Sequence, residues 1–195
     1  MSLALIGGVA DALRVILAGC MKAKLLAVVL AAGVVVAAHA QVGQLKPGLS
    51  GLSFLVGDWS GGRGKVADTG ETSTGSSSIT AEVGGSVLLR RDHTSLFDAS
   101  GKPVGGFDQI MMIYLEGGSL HAEYSDGTHV IHYTSAEVQP GHAAIFTSAT
   151  QAGAPTYRLA YELSAPTLLA VSFSMAPPGS AEFRPIANGS LTKVR

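Results

Sequence analysis

Four ionisable residues stand together at Arg90-Arg91-Asp92-His93, directly after the apolar run Val87-Leu88-Leu89. Side chains alternate along an extended strand, so Arg91 and His93 share one face and Arg90 and Asp92 the other. If Arg91 and His93 point inward, they suit the carboxylate head of a fatty-acid-like ligand. If they point outward, they are ordinary cross-strand partners in water. The outward reading is preferred, because a buried Arg91 needs a counter-charge that the sequence does not identify. A second group, His121, Glu123 and His132, has the ligand types for a divalent metal. The same residues equally describe the solvated face of a sheet, and that is the reading adopted; no metal is expected.

The strands decide which side chains converge. From Gly57 onward the chain reads as short strands with turn residues between them: Thr72–Val83, Ser86–Phe97, Phe107–Leu115, Leu120–Ser125, Thr128–Val138, Ala143–Thr150, Thr156–Leu163 and Leu168–Met175. Asp98–Gly106 reads as a loop. Even spacing of this kind predicts an all-β, antiparallel up-and-down barrel of about 8–10 strands. Helix signals are confined to Pro47–Leu55 and Pro178–Phe183. Asp126-Gly127 and Gly117-Gly118 read as two-residue hairpin turns. They would set Tyr124 opposite His129, Ala122 opposite Ile131 and Leu120 opposite Tyr133. Met111, Ile113 and Leu115 then join these residues on one apolar face, which should point into the barrel. Tyr114, His121, Glu123 and His132 take the other face. Tyr157, Tyr161, Phe173 and Met175 alternate as core residues.

Composition removes several functions. Residues 21–40 carry Lys22 and Lys24, an apolar run from Leu25 to Val36, and Ala38-His39-Ala40, the three parts of a cleaved signal peptide. The expected product is exported, periplasmic or secreted, and starts at Gln41. Residues 1–20 read as an upstream extension from an earlier start; the alternative is a lipoprotein-like leader anchored at Cys20. Residues 41–51 are a lead-in and 52–195 the barrel domain. Cys20 is the only cysteine, so the mature chain has no disulfide, thiolate metal site or cysteine nucleophile. No membrane span is expected in it. It carries ten Lys and Arg against thirteen Asp and Glu, which argues against nucleic acid as a partner. Gly57-x3-Gly61-Gly62-x-Gly64 lacks the Lys-Ser/Thr ending of a phosphate loop. There is no Gly-x-Ser-x-Gly elbow.

Gly57-Asp58-Trp59, at the start of the first strand and after a short helix, resembles the Gly-x-Trp signature of lipocalins and their calycin relatives. Gly bends the chain into the strand, and Trp closes one end of the barrel with its indole N–H on a buried acceptor. The stretch Phe54–Gly61 is similar to the first strand of nitrobindin-like and related bacterial lipocalin-like domains. Met112-Ile113-Tyr114, Tyr124–Tyr133 and Phe173–Gly179 resemble an exported branch of the same group. The resemblance implies the barrel. Nitrobindins hold haem through a histidine near the C-terminus, and no histidine follows His142 here, so no cofactor is expected. The functional expectation is a barrel binding a small hydrophobic or amphipathic molecule, with Arg91, His93, Tyr124, His129 and Tyr133 as candidate contacts and no catalytic set. Two alternatives stand beside it. One is a slow isomerase or hydrolase using His93 or His129 as base with Tyr124 or Tyr133. The other is a filled structural barrel. Oligomeric state is not legible.

Overall fold

The computed structural model describes residues 44–61, 64–66 and 71–194. The expected signal peptide, the extension before it and Cys20 lie outside the described residues. A 3-10 helix over Pro47–Leu55 leads into eleven strands. They are β1 (Gly57–Gly61), β2 (Gly64–Val66), β3 (Thr72–Glu82), β4 (Val87–Phe97), β5 (Pro103–Glu116) and β6 (Ser119–Ser125). The set continues with β7 (Val130–Gln139), β8 (Ala143–Ser148), β9 (Thr156–Ala165), β10 (Leu168–Ala176) and β11 (Arg184–Lys193). Neighbours in sequence from β3 to β11 pair antiparallel. β1 and β2 are successive pieces of one stave, since each pairs with both β3 and β11. Ten staves therefore close a continuous antiparallel barrel, and closure removes the free sheet edges.

The end of the barrel beneath the 3-10 helix is filled. Leu49, Leu52 and Leu55 of that helix are buried together with Trp59, Ile79, Leu88, Ile113, Ala122, Ala144, Phe146 and Leu169. Pro47 starts the helix with a fixed φ and no missing hydrogen bond. Trp59 sits at 1% exposure and donates its indole N–H to the Leu55 carbonyl at 2.8 Å, while the Lys193 ammonium lies 5.0 Å from the ring centre. The helix is thus pinned to the first strand by the side chain that follows it. A 3-10 turn at Val83–Gly85, between β3 and β4, abuts the lead-in: Lys46 N–H bonds to the Gly85 carbonyl at 2.9 Å. A Cβ on Gly85, at φ 80°, would stand 2.0 Å from the Gln44 carbonyl oxygen. Only glycine allows that approach.

Three local expectations change. The Asp98–Gly106 loop is shorter, because β5 begins at Pro103 and its first residues pair with the end of β4. Pro178–Phe183 is not helical; Gly179 has φ 76° and Ser180 N–H bonds to Pro177, which makes a turn. Gly117-Gly118 is a two-residue turn, with Glu116 opposite Ser119. The Asp126-Gly127 hairpin, however, has a four-residue loop. Asp126 Oδ1 accepts the N–H groups of Thr128 and His129 at 2.9 and 2.7 Å, and pairing resumes only at Ser125 and Val130. Tyr124 therefore faces Ile131, Ala122 faces Tyr133 and Glu123 faces His132. The slip is two residues, one full side-chain period, so the inward and outward faces survive it.

Val83 adopts φ 50° while its side chain is 74% exposed. A β-branched residue is strained there and gains little packing in return. Replacing Val83 with Asn should raise the unfolding free energy by roughly 1 kcal/mol; urea denaturation checks this, and an unchanged or lower midpoint would contradict the strain. Trp59→Phe keeps an aromatic ring but strands the Leu55 carbonyl. The same assay should show a loss of about 1–3 kcal/mol.

Candidate functional site

Toward the 126–129 loop, the inward positions no longer fill the barrel. The wall made by β1, β2, β3 and β11 offers Gly61, Gly64, Gly75, Ser77, Ala187 and Gly189, and small side chains there leave a cavity of about 480 Å³. The smallness is enforced at Gly75, where a Cβ would stand 2.1 Å from the His93 carbonyl oxygen on β4. The facing wall is larger and mostly apolar, with Tyr124, Tyr133, Leu159, Val171 and Phe173. Phe173 is itself braced by Tyr157, the rings stacked with centres 5.7 Å apart.

Arg90 and Asp92 form the polar floor. Both lie on the inward face of β4, two residues apart, with side chains only 8% and 12% exposed. Arg90 Nε donates to Asp92 Oδ2 at 2.6 Å, and Nη2 donates to the same oxygen and to Gln109 Oε1 at 3.2 Å. Nη1 donates to Tyr161 Oη at 2.5 Å and toward Met111 Sδ at 3.6 Å. Gln109 is fixed in turn by donating to Thr94 Oγ1 at 2.8 Å. The five N–H groups of the guanidinium thus have five contacts. Burial by itself works against the Arg90 charge. The facing Tyr161 oxygen and the Asp92 carboxylate outweigh it and leave the guanidinium more firmly protonated than usual. Next to this cluster, Asp92 Oδ1 and Ser77 Oγ are buried and have no hydrogen-bond partner among the described residues. Ser77 and Asp92 are direct cross-strand neighbours, and both line the cavity.

Tyr124 and Tyr133 line the cavity, and Tyr161 stands against Arg90. Burial pushes Tyr161 up to about 12 despite the Arg90 charge. Burial, with the Asp126 carboxylate adding to it, pushes Tyr124 up to about 12. Tyr133, 1% exposed, is also raised, chiefly by burial. At the rim, desolvation of Asp126 is outweighed by the N–H groups of His129 and Thr128, which hold its carboxyl down at about 2. Asp126 Oδ2 also meets His129 Nδ1 at 3.1 Å and the Tyr124 hydroxyl at 3.4 Å.

The structure brings Tyr124, His129 and Tyr133 to one cavity and separates Arg91 from it. Arg91 is exposed and sits on the outer face of β4. The His93 side chain is also on that face, bonded to Asp108 at 2.8 Å and 3.4 Å from Ser95 Oγ, although the residue borders the cavity wall. Their places inside are taken by Arg90 and Asp92. The sequence carried one signal for this. Opposite charges at i and i+2 share a strand face, so Arg90 has its counter-charge built in and Arg91 does not. Tyr161 was expected as core packing alone, yet its hydroxyl is a partner of Arg90.

On the outer face, Glu123 pairs with His132, Tyr114 stacks on His121 with ring centres 6.0 Å apart, and Glu116 lies 4.0 Å from His121. His121 is opposite Tyr114 on β5, and on β7 His132 is opposite Glu123. Among the described residues no cluster of three or more His, Cys, Asp or Glu is arranged to hold a metal ion. No described helix is long and apolar enough to cross a membrane.

No family model matches the chain, and no curated protein matches it. The solved structures to which it is similar include two at low identity. One is EF1p2_mFAP2b bound to DFHBI, 12% identical, covering 74% of this chain and 97% of that one, with a TM-score of 0.39. The other is the S-type phycobiliprotein lyase CPES from Guillardia theta, 10% identical, covering 73% and 89%, with a TM-score of 0.43.

The buried phenols give the barrel interior a pH signature. Tyr124 and Tyr161 hold their protons more tightly folded than unfolded, where a phenol titrates near 10. Their contribution to stability is therefore complete below about pH 10 and is lost as pH rises toward about 12. Unfolding free energies measured by urea across that window should fall with pH, and Tyr124→Phe should flatten the slope. A slope unchanged in that variant would show that Tyr124 ionises as freely as in water.

Proposed function

We propose that this chain is an exported binding module that takes a small amphipathic molecule into the barrel through the end near residues 126–129. The observation that carries the reading is the division of the barrel interior: closely filled beneath the 3-10 helix, hollow at the other end, with a cavity of about 480 Å³. That volume lies in the range that encloses ligands of metabolite or lipid-fragment size. Val171, Leu159 and Phe173 would take the apolar body, and the polar floor would orient the head. Export rests on the signal-peptide pattern of residues 21–40.

Catalysis has less behind it. His93 is committed to Asp108 and Ser95, and His129 to Asp126. The histidine–tyrosine pairing that an acid–base mechanism here would use is not among the hydrogen bonds of the described residues.

Mass spectrometry of the chain expressed with its own leader and purified from a bacterial periplasm tests the proposal. A defined mass excess under native conditions, lost on denaturation, is the expected result. N-phenyl-1-naphthylamine, a neutral apolar fluorophore, should also bind the purified protein and brighten. Val171→Trp, which fills the cavity from its apolar wall, should weaken that binding at least tenfold. No excess and no fluorophore binding would overturn the reading.

A further inference from the structure

We infer that the Tyr133 hydroxyl is the donor that fixes the ligand, and that the ligand turns an oxygen acceptor, a carbonyl or a carboxylate, toward it. This rests on the binding reading above and names the group recognised. Arg90 is the more conspicuous donor in the barrel, but its N–H groups are engaged by Asp92, Gln109, Tyr161 and Met111. Of the two phenols on the cavity wall, Tyr124 is turned to Asp126 at 3.4 Å. Tyr133, only 1% exposed, has no hydrogen-bond partner among the described residues.

That hydroxyl is open to the cavity and held in place. Asp92 Oδ1 and Ser77 Oγ are sealed in by their neighbours; the Tyr133 oxygen is not, and Tyr133 lines the cavity. Whatever occupies the cavity therefore supplies its partner. On either side of β7, the residues opposite Tyr133 are the small Ala122 and Ser148, which leave the ring room on the inward face. Phe146 meets it edge-on, with ring centres 6.3 Å apart. A ring so held has little rotamer freedom left to lose when a ligand arrives. The direction of the bond follows from the phenol itself, whose oxygen shares a lone pair with the ring and so donates better than it accepts. Burial keeps the proton on Tyr133, while the nearby Arg90 charge favours negative charge at the same place. Both effects suit a ligand oxygen that carries partial or full negative charge.

A ketone and its hydrocarbon twin isolate that bond: 2-acetylnaphthalene and 2-isopropenylnaphthalene share one shape and differ by oxygen for methylene. Each is titrated at neutral pH against full-length protein holding N-phenyl-1-naphthylamine, with 2-naphthoate alongside. Tyr133→Phe keeps the ring and removes the hydroxyl. It should weaken the ketone by roughly threefold or more relative to the alkene, the worth of one neutral hydrogen bond. A loss of that size confined to 2-naphthoate would assign a carboxylate ligand, and one confined to the ketone a neutral carbonyl; either supports the inference. The carbonyl stretch of the ketone bound to the unaltered protein should lie below its position in hexane, and Tyr133→Phe should return it toward that position. An unchanged ketone-to-alkene ratio with unchanged naphthoate affinity would overturn the inference. So would a carbonyl stretch at the hexane position in the unaltered protein, a reading that stands even if the variant fails to fold. If the fluorophore and all three compounds fail to bind, the binding reading itself falls.

Discussion

A guanidinium inside a β-barrel is the constraint around which the rest of this molecule is arranged. Moving such a charge out of water carries a penalty of several kcal/mol, tolerable only when a counter-ion and further hydrogen bonds replace the lost hydration. Arg90 meets that demand within its own neighbourhood. Asp92 supplies the charge from two residues along the strand, Gln109 extends the set from β5, and Tyr161 closes it from β9 on the opposite side of the barrel. The cluster therefore ties together staves that are not neighbours. It also marks the level at which the interior changes from apolar packing to cavity.

Below that level the barrel behaves as a conventional core. The 3-10 helix lays its leucines across the end, and Trp59 secures it by a hydrogen bond that spans the bend at Gly57. Above it, glycine, alanine and serine on one wall prevent the staves from filling the space between them. A firm end and a hollow end are complementary: the filled end supplies stability, and the hollow end can then remain open without collapsing. The cavity is a consequence of side-chain size on β1, β2, β3 and β11, set against larger residues on the far wall.

Much of this was legible in the sequence, and the failures have physical reasons. Turn residues at regular spacing announced the meander, and Gly57-Asp58-Trp59 announced both the closing tryptophan and its need for a buried acceptor. The inward face of β5, β6 and β7 was correct even though one register was not. Asp126 capped two N–H groups and lengthened its loop by two residues, and a two-residue slip keeps every side chain on its face. Between Arg90 and Arg91 the hydropathy pattern was silent, because Val87, Leu88 and Leu89 are all apolar and give no alternation to extrapolate; only the Arg90–Asp92 charge spacing pointed inward. The start of β5 was hidden in a stretch of Pro and Gly that reads as loop, so its register against β4 was not fixed. Tyr161 shows a further limit: sequence spacing placed it inside, but only the closed barrel reveals that it reaches Arg90 across the interior.

The claim that matters most is that Arg90 and Asp92 neutralise each other and so leave the guanidinium nothing to give a ligand. A double-mutant cycle in urea, with Arg90→Met, Asp92→Asn and the two combined, measures it directly. Mutual neutralisation predicts that each single change costs about 3–5 kcal/mol by stranding a buried charge, while the double variant is no less stable than either single one. Losses that simply add would mean that the two residues act independently, and the floor of the cavity would have to be read as an open cationic site.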